Sequence, residues 1–264
     1  MDVLRPRTLE DALRMRAERP DALAIRGGTD VMVALNFDWV RPDAILDLGE
    51  VPELGGWARE NGTLRLGAGL TYTEAMEGAL AAELPALAEA SRTVGSPQIR
   101  NRGTIGGNLG TASPAGDALP PLLIEGAEIE LARAAGVRRL PLSDFLVGPK
   151  RNALEPDELI TAVLVRPSGA PQTFMKVGPR NAMVIAVCSL AVAVDPEKEE
   201  VRASFGSAGP VTGLVRVPLE DVETVADAVV EAASPIDDVR GTAAYRRHAL
   251  GVLARRALKR CLVS

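Results

Sequence analysis

The sequence predicts an α+β protein in two parts, residues 1–166 and residues 172–264. Three observations predict it. Helix-period stretches and short apolar strand runs are interleaved through the first part. Proline, glycine and serine cluster in PSGAPQ, Pro167 to Gln172, where a boundary is expected. Beyond that cluster, strand runs give way to two helical stretches that close the chain.

In TLEDALRMRAER, Thr8 is placed to cap a helix with Leu9, Ala12, Leu13 and Arg16 at helical spacing, and Pro20 ends it. ALAIRGG reads as a short buried strand, Ala22 to Arg26, stopped by two glycines. TDVMVALN restarts at once, with Thr29 or Asp30 able to cap a helix. AILDLG, Ala44 to Gly49, is the next strand. GTLRLGAGLTYTEAMEGAL gives a strand, a glycine turn and a helix from about Thr73, and LPALAEASRTVG a further short helix. AEIELARAAGVRRLPLSDFL reads as a hairpin with Ala135-Gly136 at its turn, and ELITAVLVRP as another strand. In the second part, TFMKVG and MVIAVCSLAVAVD are strands or a buried helix, a choice their valines and isoleucines leave open. VRASFGSAG is a strand. LEDVETVADAVVEAAS and TAAYRRHALGVLARRALKRCL are helical.

With 264 residues the chain is ample for a buried core. Its hydrophobic fraction of 47% and charged fraction of 25% are those of ordinary soluble globular proteins. Aromatic residues make up 3%, too few for stacking platforms along a single strand of nucleic acid. The net charge of −5, with signs interspersed, leaves no basic footprint for a polyanion. The densest basic stretch, YRRHALGVLARRALKR, carries its bases at helical spacing and is expected to be a solvated helix face. No run approaches the roughly 18 apolar residues of a membrane span. MDVLRPRTLEDALRMRAERP lacks the apolar core of a signal peptide. Two distant cysteines, Cys188 and Cys261, make neither a disulfide framework nor a metal cluster, which fits a reducing, cytoplasmic setting. The single histidine, His248, argues against serine–histidine–acid hydrolysis and multi-histidine metal sites. No metal site and no catalytic side chain are expected.

Two glycine-rich stretches stand out. In AIRGGTDVMV, a buried strand delivers the chain to Gly27 and Gly28 where a helix starts. Bare amides there would attract an anion, and glycine would let a phosphate approach the backbone; a tight turn that binds nothing is the alternative. In QIRNRGTIGGNLGTASPAGDALPPLL, Thr104 to Asn108 offers a hydroxyl, two unobstructed amides and a carboxamide, and Thr111 and Ser113 add hydroxyls. A left-handed backbone is expected at Gly107. These groups suit a diphosphate and a polyhydroxylated chain. Asp117 would repel phosphate but accept from sugar hydroxyls or a ring N–H; the alternative is a helix cap before ALPPLL. Two such turns in one domain carry more weight than either alone. GAGLTY, Gly67 to Tyr72, almost matches the dinucleotide fingerprint, but Tyr72 stands at the third glycine position and no acid follows at the required spacing. No Walker sequence occurs.

AIRGGTDVMV, QIRNRGTIGGNLGTASPAGD and FMKVGPRNAMVIAV, in this order, resemble the FAD-binding subunit of the molybdenum hydroxylases, the family of the carbon monoxide dehydrogenase medium subunit and the xanthine dehydrogenase flavin domain. PIDDVRGTAAYRRHALGVLARRAL resembles its closing helical segment. The resemblance covers nearly the whole chain. It implies a two-subdomain FAD-binding domain of the vanillyl-alcohol oxidase and MurB-like type, with subdomains at about residues 1–55 and 56–166. A small antiparallel sheet with helices would follow. FAD would lie between the subdomains. The resemblance assigns to it Ala24, Ile25, Arg26, Gly27, Gly28, Thr29, Asp30 and Val31 from the first turn, and Thr104, Gly106, Gly107, Asn108 and Thr111 from the second. It further assigns Asp117 to the ribityl or ring region, Ile160 to an apolar flavin contact and Lys176 to the isoalloxazine edge. Val94 falls where some relatives carry a flavin-facing aromatic. The branch with an extra iron–sulfur cluster in this subunit needs four cysteines, and two cannot serve.

The function so implied is electron transfer: from a [2Fe–2S] small subunit, fed by a molybdenum-cofactor large subunit, through FAD to NAD or a quinone, in a dimer of heterotrimers. A flavin- or nucleotide-binding module and a free-standing flavin oxidoreductase are the alternatives.

Overall fold

The computed structural model describes residues 1–263. Strand β1 (Asp2–Leu4) leads into helix α1 (Leu9–Glu18), whose cap Thr8 accepts from the Asp11 amide as the sequence predicts. Strand β2 (Leu23–Ile25), helix α2 (Val31–Asn36) and strand β3 (Ala44–Asp47) complete a three-stranded parallel sheet in the order β1-β3-β2. Ala12 of α1 packs with Ala22, Ala44, Leu46, Leu48, Val51 and Leu54 in a small core of its own. α2 buries none of its residues.

Strands β4 (Trp57–Glu60) and β5 (Thr63–Gly67) begin a second, antiparallel sheet. Six short helices then follow: α3 (Tyr72–Ala75), α4 (Gly78–Glu83), α5 (Pro85–Thr93), α6 (Pro97–Arg100), α7 (Ile105–Thr111) and α8 (Leu119–Ile124). The hairpin of β6 (Glu128–Arg133) and β7 (Gly136–Pro141) pairs Arg133 with Gly136, so its turn is Ala134-Ala135, one residue earlier than predicted. Helix α9 (Leu142–Phe145) and the ribbon β8 (Leu146–Gly148) and β9 (Arg151–Asn152) precede β10 (Leu159–Val165). β10 runs up the middle of the sheet, in the order β4-β5-β10-β6-β7. Alternate residues Leu64, Leu66, Ile129, Leu131, Val163 and Val165 face the helices in the largest core.

The second part is an antiparallel sheet of β11 (Gln172–Val177), β12 (Cys188–Asp195), β13 (Glu200–Gly206) and β14 (Gly213–Pro218), followed by α10 (Val225–Ala232) and α11 (Ala243–Val263). β12 settles the open choice in MVIAVCSLAVAVD: its last eight residues form a strand and the residues before it a loop. Every residue of β12 is buried. Leu190, Val192 and Val194 face α10 and α11, while Ala191 and Ala193 face α5 and α8 of the first part. The alternation of large and small side chains lets one strand carry two packed layers. Glu89 on α5 ties this seam, accepting from the Thr173 hydroxyl and the Phe174 amide at 2.7 Å each. Glu125 accepts from both the amide and the hydroxyl of Ser168 in the connecting segment. Among the described residues no helix is long and apolar enough to cross a membrane.

The basic stretch of α11 is not wholly solvated. Arg246 is 1% exposed and donates to the carbonyls of Val187 and Ser207 and to Asp238. The Arg240 guanidinium first, with Arg246 beside it, holds the Asp238 carboxyl well below the usual carboxylate range. Arg246→Met leaves two buried carbonyls without a donor and is expected to destabilise the fold by about 3 kcal/mol in denaturant titrations at pH 7. Because the folded-state pKa of Asp238 is depressed, the carboxylate's contribution is present above the unfolded value and lost as pH falls through the folded one. The gap between wild type and variant should therefore narrow below about pH 4.

Candidate functional site

A cleft of about 720 Å³ lies where the parallel sheet, α7 and the loop between β11 and β12 meet. Its wall is built by glycines in backbone contact. Past the end of β2, a β-carbon on Gly27 would stand 2.0 Å from the carbonyl oxygen of Arg102, so the two glycine-rich stretches press directly on one another. Gly28 takes φ +76°, which glycine adopts without strain. A β-carbon on Gly106 would meet the carbonyl oxygen of Ala68 at 2.6 Å. GAGL, dismissed above as a nucleotide fingerprint, thus serves as the plate on which α7 rests.

These contacts divide the labour between the two stretches differently from the prediction. The two amides expected to be bare, those of Gly106 and Gly107, are taken, as are those of Ile105 and Asn108. Ile105 donates to Leu70, Gly106 to Ala68 and Asn108 to Thr104 through backbone bonds of 2.8–3.0 Å. Gly107 donates to the Thr104 hydroxyl, the cap of α7, at 3.0 Å. Gly107 lies inside that helix, so the left-handed backbone expected there is found at Gly28 instead. No backbone acceptor receives the amides of Gly27, Gly28, Thr29, Asp30 or Val31 among the described residues, and all five residues line the cleft. Free donors therefore come from the first stretch, and open space from the second: beside a β-carbon on Gly107 only the Thr104 hydroxyl lies within 4 Å.

The unmatched acceptors lie elsewhere in the wall. The carboxamide oxygen of Asn108 and Oδ1 of Asp117 are buried without a donor, on residues that line the cleft. Asp117 is no helix cap; that position in α8 is Ala118, which makes no side-chain capping bond. Its Oδ2 instead receives Lys176 Nζ at 2.5 Å, and Nζ also donates to the Thr93 carbonyl at 3.3 Å. Burial pushes the Asp117 carboxyl up, and Lys176 works against that rise. Lys176 is the one residue assigned to the site by resemblance that does not line the cleft. It stands behind Asp117, on β11, as its counter-ion across the seam between the two parts.

Ala24, Ile25 and Arg26 line the cleft, as do Thr104, Gly106, Thr111, Ile160 and Val94. Two of these have their polar groups engaged. Arg26 donates to the Leu48 and Val51 carbonyls. The Thr111 hydroxyl donates to Asp30 at 2.8 Å, which joins the two stretches a second time; Asp30 makes no side-chain cap to α2. Sequence reasoning missed Arg16, Tyr72 and Glu158, and the loop residues Met183, Val184 and Ile185. Arg16 read as one residue of a helical pattern, and its aim at the cleft follows only from how α1 packs. Exposed apolar Met183 and Ile185, in a stretch read as strand or helix, were the available signal for the loop.

Residues 1–167 match the model of a family described as the FAD binding domain in molybdopterin dehydrogenase. The chain is 30% identical over 279 residues to the carbon monoxide dehydrogenase medium chain of Afipia carboxidovorans, covering 98% of this chain and 96% of that one. It is 38% identical over 201 residues to the nicotinate dehydrogenase FAD-subunit of Eubacterium barkeri, covering 72% and 68%. Among solved structures it superposes with a TM-score of 0.91 on a chain of carbon monoxide dehydrogenase from Hydrogenophaga pseudoflava, at 25% identity, covering 100% and 97%.

Two glycines should respond oppositely to alanine. Gly27→Ala drives a methyl into a backbone carbonyl and should lower stability by about 2–3 kcal/mol. Gly107→Ala meets one movable hydroxyl and should change it by less than about 1 kcal/mol; thermal melts of the two variants test the pair. Lys176→Met should cost about 3–5 kcal/mol by leaving a buried carboxylate unpaired. Adding Asp117→Asn should recover much of that loss, which a double-mutant cycle measures.

Proposed function

The chain belongs to the family of FAD-binding domains of molybdopterin dehydrogenases, and from that premise we propose that it is the electron-relaying subunit of a molybdenum-containing hydroxylase or dehydrogenase. It is an oxidoreductase component, and FAD is its cofactor. When bound, FAD takes up electrons and passes them on, one or two at a time.

The observation that carries the reading is the distribution of unmatched groups in the cleft. Five free amides between Gly27 and Val31 suit the diphosphate, since donors without a protein acceptor favour an anion. The free oxygens of Asn108 and Asp117 suit hydroxyl or ring N–H donors. Open space beside Gly107 admits the cofactor against the backbone. These residues therefore fit FAD. Lys176 holds Oδ2 of Asp117 and leaves Oδ1 without a partner. We assign the cofactor to this cleft, between subdomains of about residues 1–55 and 56–166, with residues 172–264 as the C-terminal domain.

Among the described residues, each carboxylate that lines the cleft has at least one oxygen engaged by the protein. Asp117 is paired with Lys176, Asp30 holds Thr111, and Glu158 receives both Arg138 and the Glu155 amide. Buried thiols are no better as nucleophiles: burial pushes Cys188 up to about 12 and Cys261 to about 11. This supports substrate oxidation on a partner. We propose a molybdenum-cofactor large subunit and a [2Fe–2S] small subunit, since this chain is similar over nearly its whole length to a protein named as a medium chain. Electrons would enter from the iron–sulfur subunit and leave to NAD or a quinone, in a dimer of heterotrimers in the cytoplasm.

Two measurements test this. Gly107→Val fills the space beside α7 and should weaken FAD binding at least a hundredfold while the melting temperature of the apoprotein stays within a few degrees of wild type. Purification from the source cell should yield a complex containing molybdenum, iron and FAD. A lone, metal-free species whose flavin is reduced directly by a small molecule would overturn the reading.

A further inference from the structure

We propose that Arg16 reads the purine ring of FAD. The proposal rests on the cleft being the FAD site. Arg16 is 9% exposed, and it lines the cleft together with Leu23, Leu48, Leu54 and Leu159. Its Nη1 donates to the Ala22 carbonyl at 2.6 Å. Its Nε is buried with no acceptor, and among the described residues no carboxylate forms a salt bridge with it. Asp157 and Asp21 act on the guanidinium only at a distance, and a buried donor left unmatched among leucines is costly.

Strand β2 gives the scale. A strand rises about 3.3 Å per residue, so Leu23, at the Arg16 end, lies about 13 Å along the chain from the free amides that start at Gly27. An anion held by those amides does not reach Arg16. The group that does must be flat and apolar enough for the leucines, and must present acceptors to the guanidinium. A purine has both properties: ring nitrogens that accept, and a face on which a planar cation stacks. The flavin half offers the complementary set, ring N–H and ribityl hydroxyls, and these match the free oxygens of Asn108 and Asp117. The isoalloxazine ring carries acceptors of its own, so the comparison of FAD with FMN decides which end of the cofactor meets Arg16.

The test titrates the full-length apoprotein with FAD and, separately, with FMN, which lacks the adenylate half. Arg16→Leu should weaken FAD binding about tenfold and leave FMN binding unchanged. Arg16→Lys should recover little, because one ammonium replaces neither the fork of donors nor the stacking plane. Unchanged FAD affinity in Arg16→Leu, equal losses for both flavins, or full recovery by lysine would overturn the proposal. FMN affinity also reports misfolding, which would depress both ligands together. Gly107→Val is the control for the cleft itself. Lost FAD binding there with none lost in Arg16→Leu overturns the purine assignment alone; retained binding in both overturns the cleft as the cofactor site and this proposal with it.

Discussion

The contact of Gly27 with the carbonyl of Arg102 is the constraint on which the rest of the site depends. It joins a turn at the end of a parallel strand to a loop that arrives some 75 residues later in the chain, with no side chain between them. Once these backbones touch, Thr111 falls within reach of Asp30, α7 is pressed onto Ala68, and among the described residues the amides of the first turn have no backbone acceptor. An anion site made of main-chain groups needs such a frame, because amides can be aimed only by fixing the whole chain that carries them.

The two parts of the molecule are joined as firmly as either is built. Glu89 and Glu125 tie α5 and the connecting segment to β11, and Lys176 reaches back across the seam to Asp117 in the wall of the cleft. Burial raises the Asp117 carboxyl, and the Lys176 ammonium at its Oδ2 opposes that rise. The cation that stabilises it has no access to the cleft itself.

Much of this was legible in the sequence and some was not, for identifiable reasons. Thr8 capping α1 and the strand before Gly27 are local signals, and the chain obeys them. Residues of both glycine-rich stretches line the cleft. Their roles could not be read, since whether an amide is free depends on a partner far along the chain: Ala68 and Leu70 occupy those of Gly106 and Ile105. Lys176 sits at a position that looks like a ligand, and only the fold reveals that Asp117 stands in between. Arg246 illustrates the same limit. Its place in a basic helical pattern says surface, while the carbonyls of Val187 and Ser207 draw it inside.

The double-sided burial of β12 bears on how the molecule comes apart. Its alanine face has no solvent of its own to meet, and neither have Ala86, Ala90 and Ile124 opposite. Detaching the C-terminal sheet would wet an apolar layer on both sides at once, and would strand Glu89 and Lys176 without their partners. The family match ends at residue 167, inside the segment that joins the two sheets. A single cooperative melting transition is the expected consequence of that shared layer.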